Sequence, residues 1–456
     1  MDNKGIIVLI CVCIISAIVA YQPHANYPYP LHVDEWFHIA QAQKIAENNL
    51  VPIDFDVYTN EKRGYFEVLW HYPLAIFDFI FSPGITIWQF LPALMAALAV
   101  LSTYFFARRW GENAGLIAAF LVALIPSNVT IGGLSLLVPV NLSLIIIPVA
   151  LKVAFDFDLG QKKNLAILFG LTLFLLLAHP PSAVVLLAVL GIYALLSWRD
   201  DRKKTKQITV AVVAALLLSI WNYWAALSQK GAGALQFPFW IYLREIPVVY
   251  GVVPTIFFVL GFWLFVREGK KEEWAIAGVS VFLIFDIVFF SNTGIGLVVP
   301  YQRAFIPLML FMSVIAANAL AKIKPVPALA VILLIILGLG IQSHAATPYY
   351  HVVNEKDVEA FAWIKDNTPK DAVVLLDPWK ARALTPIAER KVFTVTPFGP
   401  KSEEEARNAL AIGFLSKKCA DSDFLRQNGI SVVYAEKGCD NPDLLQEFGQ
   451  VYVFRG

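Results

Sequence analysis

The chain has 456 residues, 58% of them hydrophobic and 16% charged, with a formal net charge of +1. Soluble domains sit near half apolar and about a quarter charged, so the composition excludes an ordinary soluble domain and points to a polytopic membrane protein. A charge this close to zero gives no footprint for a nucleic-acid partner.

In chain order, apolar stretches long enough to span a bilayer, about 20 residues each, are expected near 5–20, 85–107, 114–127, 134–151, 165–178, 182–198, 208–227, 247–266, 274–291, 303–321 and 326–343, eleven in all. The first could be read as a signal peptide, but Ile18 stands where a cleavage site wants a small residue, so an uncleaved helix is preferred. The pair 165–178 and 182–198 is split at "AHPPSA", where Pro180 and Pro181 break a continuous helix. Segment 73–84 reads as an extra interfacial or re-entrant piece.

With the N-terminus in the cytoplasm, Lys and Arg number roughly sixteen in inner loops against six in outer ones, by direct count. The loop 21–72 and the tail after 344 then lie outside. Cys419 and Cys439 share that oxidising-permissive tail and are expected to pair, while Cys11 and Cys13 sit in the first apolar run. The same topology collects His179, Arg244, Lys230 and Arg303 at the outer face. Span interiors are nearly bare of charge apart from Asp286, which argues against a proton-coupled transporter.

The loop opens with "LHVDEWFHIAQAQKIAENN". A short helix over 34–48 is expected to lie on the membrane through Trp36, Ile39, Ala42 and Ile45 or Ala46. Asp34 would cap it, Glu35 would sit in its first turn, and His38 would share a face with Asp34. An acid capping an interfacial helix is the plain structural alternative. Trp70, His71 and Tyr72 in "YFEVLWHYPLAIF" equally suit an interfacial aromatic belt. The tail predicts a small α/β domain, with strands at "AVVLLD", "KVFTV", "SVVYA" and "VYVFR" and helices at 354–367, 402–413 and 441–448. The expected fold is therefore a helical membrane domain over 1–344 and an extracytoplasmic α/β domain over 345–456.

Together these features resemble the GT-C superfamily, membrane glycosyltransferases that use polyprenyl-phosphate-linked sugars. An acid pair opens the first outer loop, here Asp34-Glu35; about a dozen spans follow; a small soluble domain comes last. "VEAFAWIKDNTPKDAVVLLDP" looks like the start of the tail domain in its archaeal members, and "YQRAFIP" and "AHPP" are similar to phrases of the family. The resemblance implies an inverting transfer to a surface protein, lipid or glycan. Asp34 is the implied general base, with Glu35 beside it. Arg303 would hold the lipid phosphate, with His179 and Arg244 contributing. His38, Tyr301 and His71 would line the donor and acceptor pocket. Because phosphate is already a good leaving anion, no general acid is needed.

The chain departs from the metal-using oligosaccharyltransferase branch. The loop "PSNVTIGGLS" carries no acid, and "WNYW" lacks the acid of the tryptophan-rich acceptor motif. It looks more like the single-sugar branch, which needs no cofactor, although Asp34, Glu35 and His38 with His179 could take a divalent metal. The partners implied are a lipid-linked sugar, membrane lipids and a surface acceptor. The alternatives are a lipid or glycan transporter and a non-catalytic scaffold presenting the tail.

Overall fold

The computed structural model describes residues 2–61, 67–157, 162–228, 245–293, 301–396 and 402–456. Arg244, Lys230 and the side chain of Tyr301 lie outside the described residues. In chain order the helices are α1 (Asn3–Tyr21), α2 (Val33–Glu47), α3 (Val68–Phe81), α4 (Leu91–Ala107), α5 (Glu112–Ala123), α6 (Leu142–Phe155), α7 (Lys162–Ala178), α8 (Pro180–Ser197), α9 (Arg202–Ser228), α10 (Glu245–Tyr250), α11 (Val252–Glu268), α12 (Lys271–Thr293), α13 (Tyr301–Leu320), α14 (Val326–Ala346), α15 (Glu355–Asn367), α16 (Ala381–Ala388), α17 (Ser402–Ser416) and α18 (Ser422–Gln427). The strands are β1 (Val373–Leu375), β2 (Lys391–Val392), β3 (Val432–Tyr434), β4 (Leu444–Phe448) and β5 (Val451–Phe454). Two compact units result. One holds Met1–Asn26, Phe66–Trp70 and Gln89–Tyr349, the other Tyr27–Tyr65, His71–Trp88 and Tyr350–Gly456.

The first unit is the multi-pass membrane part. A helix occupies each of the eleven apolar stretches. Among the described residues seven are long and apolar enough to cross a bilayer alone; α5, α6, α7 and α11 are shorter, at 12 to 17 residues. Asp2 starts α1 by accepting from the Gly5 N–H at 2.7 Å. Past its first turn, α13 is almost wholly buried, whereas α14 buries only Ile336 and His344 and exposes Leu334, Leu339 and Ile341, as a lipid-facing helix does. Gly261 lets α11 cross α13 closely, since a Cβ there would fall 2.0 Å from the Ile315 carbonyl oxygen.

The break between α7 and α8 follows from "AHPP". A residue before proline is pushed out of the helical region, and His179 is extended at φ −156°, ψ 89°. Pro180 and Pro181 then occupy the first positions of α8, where a missing N–H costs nothing.

In the second unit α2 packs on α16. Trp36, Ile39, Ala42, Ile45 and Ala46 are all buried. The apolar side expected to face lipid is therefore covered by protein, because a 15-residue helix with that much apolar surface gains more from packing. The sheet runs β2-β1-β3-β5-β4, with β2, β1 and β3 parallel and β5 antiparallel to both β3 and β4. The helix expected at 441–448 is a correction: Leu444–Phe448 is an edge strand, paired to β5 from Leu444–Phe454 onward. Cys419 and Cys439 form a disulfide beside a core of Leu375, Leu425, Ile430, Val433 and Tyr452. Buried Asp357 accepts from Lys380 Nζ at 2.7 Å and from the Tyr434 hydroxyl, tying α15 to β3.

Candidate functional site

The acid pair in the second unit divides its labour. His32, not Asp34, is the N-cap of α2: its Nδ1 accepts from the Asp34 N–H at 3.1 Å. Glu35 completes a capping box, one carboxylate oxygen accepting from the N–H groups of Leu31 at 2.7 Å and His32 at 2.9 Å. Glu35 is buried in that task. The Asp34 side chain keeps 16% of its surface open. Its Oδ2 lies 3.6 Å from His32 Nδ1. Because that nitrogen already accepts a backbone N–H, the neutral ring has no proton there and the contact is not a hydrogen bond.

One turn on, His38 Nδ1 meets His71 Nε2 at 3.0 Å, both rings buried, with Phe37 edge-on to His71. Two neutral imidazoles share one proton in such a contact, so one donates and the other accepts. Burial pushes His71 down to about 3. Tyr58 adds a further polar group, its fully buried hydroxyl held well above the usual phenol range by burial, with the Asp34 charge among the smaller contributions. The buried Arg382 guanidinium stacks 5.4 Å from its ring centroid. Neither Tyr58 nor Arg382 was legible as a site residue: one lies in irregular chain, the other on a helix 324 positions away.

The first unit assembles a different set. His179 Nδ1 accepts from the Ser182 N–H at 3.3 Å and contacts Ser182 Oγ at 2.6 Å. A backbone N–H can only donate, so the neutral ring carries its proton on Nε2. Burial, then the charge of Arg303, holds His179 well below the usual imidazole range. Its Nε2 lies 3.8 Å from Glu67 Oε1. Glu67 was missed in the sequence, where an acid 112 positions from its partner gives no local signal.

Arg303, in the first turn of α13, is half-buried. A buried loop runs beside it. Asn128 Oδ1 accepts from the N–H groups of Thr130 and Ile131, and Asn141 Nδ2 donates to the carbonyls of Gly133 and Leu136. At Gly132, φ +84°, a Cβ would sit 3.9 Å from Arg303 Nη1 and 2.9 Å from Val140 Cγ1, so glycine lets the backbone approach the guanidinium. His179, Arg303 and Glu67 thus share one unit, and Asp34, Glu35, His38 and His71 the other.

No protein-family model and no curated protein matches the sequence. Solved structures match in fold. The Archaeoglobus fulgidus oligosaccharyltransferase, crystallised with Zn and sulfate, aligns at TM-score 0.63 and 15% identity over 93% of this chain and 67% of that one. ArnT from Cupriavidus metallidurans aligns at 0.59 and 13% in its apo state, over 99% and 98% of the two chains. Bound to undecaprenyl phosphate, ArnT gives 0.62 and 11% over 100% and 98%. The chain therefore shares its fold with these two membrane enzymes across nearly its whole length. Among the described residues no group of three or more His, Cys, Asp and Glu is arranged to hold a metal ion.

Proposed function

We propose that the protein is an inverting glycosyltransferase that moves a sugar from a polyprenyl-phosphate donor to a cell-surface acceptor, with the N-terminus cytoplasmic and the tail domain outside. Asp34 is the general base. It takes the acceptor proton as the acceptor oxygen or nitrogen attacks the anomeric carbon, and the lipid phosphate leaves from the opposite face. Arg303 stabilises the charge that gathers on the phosphate, a guanidinium fork matching its oxygens. His179 donates to it through Nε2–H. Arg244, Tyr301, His38 and His71 complete the set proposed to contact donor and acceptor.

The observation that carries this reading is the division within the acid pair: Glu35 is consumed by two backbone N–H groups while Asp34 keeps solvent access. The GT-C fold with a half-buried arginine beside a neutral imidazole donor supports the same reading. Purified protein in lipid, given radiolabelled polyprenyl-phosphate sugars, tests it. Wild type transfers label, and Arg303→Gln weakens donor use. Transport is the second reading, favoured at one position, the fully buried Asp286 in α12. Flux of an unmodified lipid-linked sugar that survives Asp34→Asn but fails in Asp286→Asn would select it.

A further inference from the structure

Glu67 sits where a phosphate-binding site should have no acid. Its side chain is 12% exposed and its Oε1 lies 3.8 Å from His179 Nε2, the nitrogen that carries the ring proton. Its backbone is held at φ +59°, in the left-handed region that non-glycine residues seldom adopt, immediately before α3. A carboxylate kept in that conformation lies beside a buried histidine that Arg303 acts on, within the phosphate site proposed above.

A phosphate oxygen accepting from His179 Nε2–H would lie about 3 Å from that nitrogen. It would then be no more than about 7 Å from Glu67 Oε1. Two anions at that range, largely shielded from water, repel strongly. The repulsion differs between the two ends of the reaction. The donor is a phosphodiester with one negative charge. The product, polyprenyl phosphate, is a monoester whose second ionisation falls near pH 6, so it carries close to two.

We propose that Glu67 ejects product: its charge disfavours the monoester more than the diester and so keeps the spent lipid from occupying the site. This rests on the reading of His179 and Arg303 as phosphate ligands. Glu67 is thus a specificity-determining residue that sets the balance between donor and product, while Arg303 and His179 set the strength of phosphate binding itself.

The test measures the affinity of the full chain, in lipid nanodiscs at pH 7.5, for a polyprenyl phosphate and for the matching polyprenyl-phosphate sugar. Glu67→Gln is expected to tighten the monoester roughly tenfold and the diester several-fold less. Its transfer reaction gains product inhibition, and kcat falls more than KM. Glu67→Asp restores the wild-type ratio. Should Glu67→Gln not fold, Glu67→Ser carries the same expectation. An unchanged ratio of the two affinities, or a weaker monoester, overturns the proposal. The underlying reading is checked separately by Arg303→Gln and His179→Gln, which should weaken both ligands. If neither variant weakens either ligand, or wild type binds neither, the phosphate reading falls, and the role of Glu67 with it.

Discussion

Of the two adjacent acids that open the first loop, Glu35 is buried in a capping box while Asp34 keeps 16% of its side chain open, and the roles proposed from that difference are testable. Glu35 accepts two backbone N–H groups at the start of α2. Glu35→Gln should therefore cost stability, about 1 kcal/mol for a lost capping interaction, read as a lowered midpoint of unfolding, with transfer per folded molecule retained. His71 makes a pH prediction. Its folded-state value is about 3 against an ordinary 6.5, because burial disfavours the cation. The unfolded chain takes up the proton first as pH falls, so the second unit loses stability from about pH 6.5 down to about 3. Chemical denaturation across that range should show the slope, and His71→Gln should flatten it by up to one proton. In the sequence the Asp34 and Glu35 roles were not separable. "HVDE" has an acid at the third helical position, as a capping box does, but histidine is an uncommon N-cap, and the aspartate looked the better candidate.

At the scale of elements, the helices were legible because apolar runs of bilayer length leave little choice, and "AHPP" marked the break between α7 and α8 through the steric rule on the residue before proline. The membrane face of α2 was misplaced, since an apolar stripe looks the same whether protein or lipid covers it. The strand β4 was read as helix because "LLQEF" is short and carries no clear period; its pairing with β5 decides it. Two substitutions probe the elements. Gly133→Ala places a Cβ 2.5 Å from Ser127 Oγ at a residue with φ +122°. It should disrupt the loop beside Arg303 at a cost of about 1–3 kcal/mol or more, seen as a lower melting temperature and weaker donor binding. The Cys419–Cys439 bridge closes a loop across a sequence separation of 20. A Cys439→Ser variant should lose about 3 kcal/mol on the loop-closure account, visible as a shift in denaturant midpoint that reductant reproduces in wild type.

For the whole molecule, the composition alone points to a membrane protein, and the order of acid pair, spans and tail domain in the sequence resembles that of GT-C enzymes. The fold bears that architecture across nearly the full length of ArnT at only 11–13% identity, as hydrophobic patterning allows when few individual side chains are fixed. The site was less legible because its members come together only through folding: Glu67 reaches His179, and Arg382 reaches Tyr58, across more than a hundred positions each. The most direct measurement is sugar transfer from a radiolabelled polyprenyl-phosphate donor by wild type, Asp34→Asn and Glu35→Gln, each normalised to folded protein. The account predicts that Asp34→Asn slows transfer by roughly 10²–10⁴-fold while Glu35→Gln stays within a few-fold of wild type. Undiminished transfer by Asp34→Asn would contradict it.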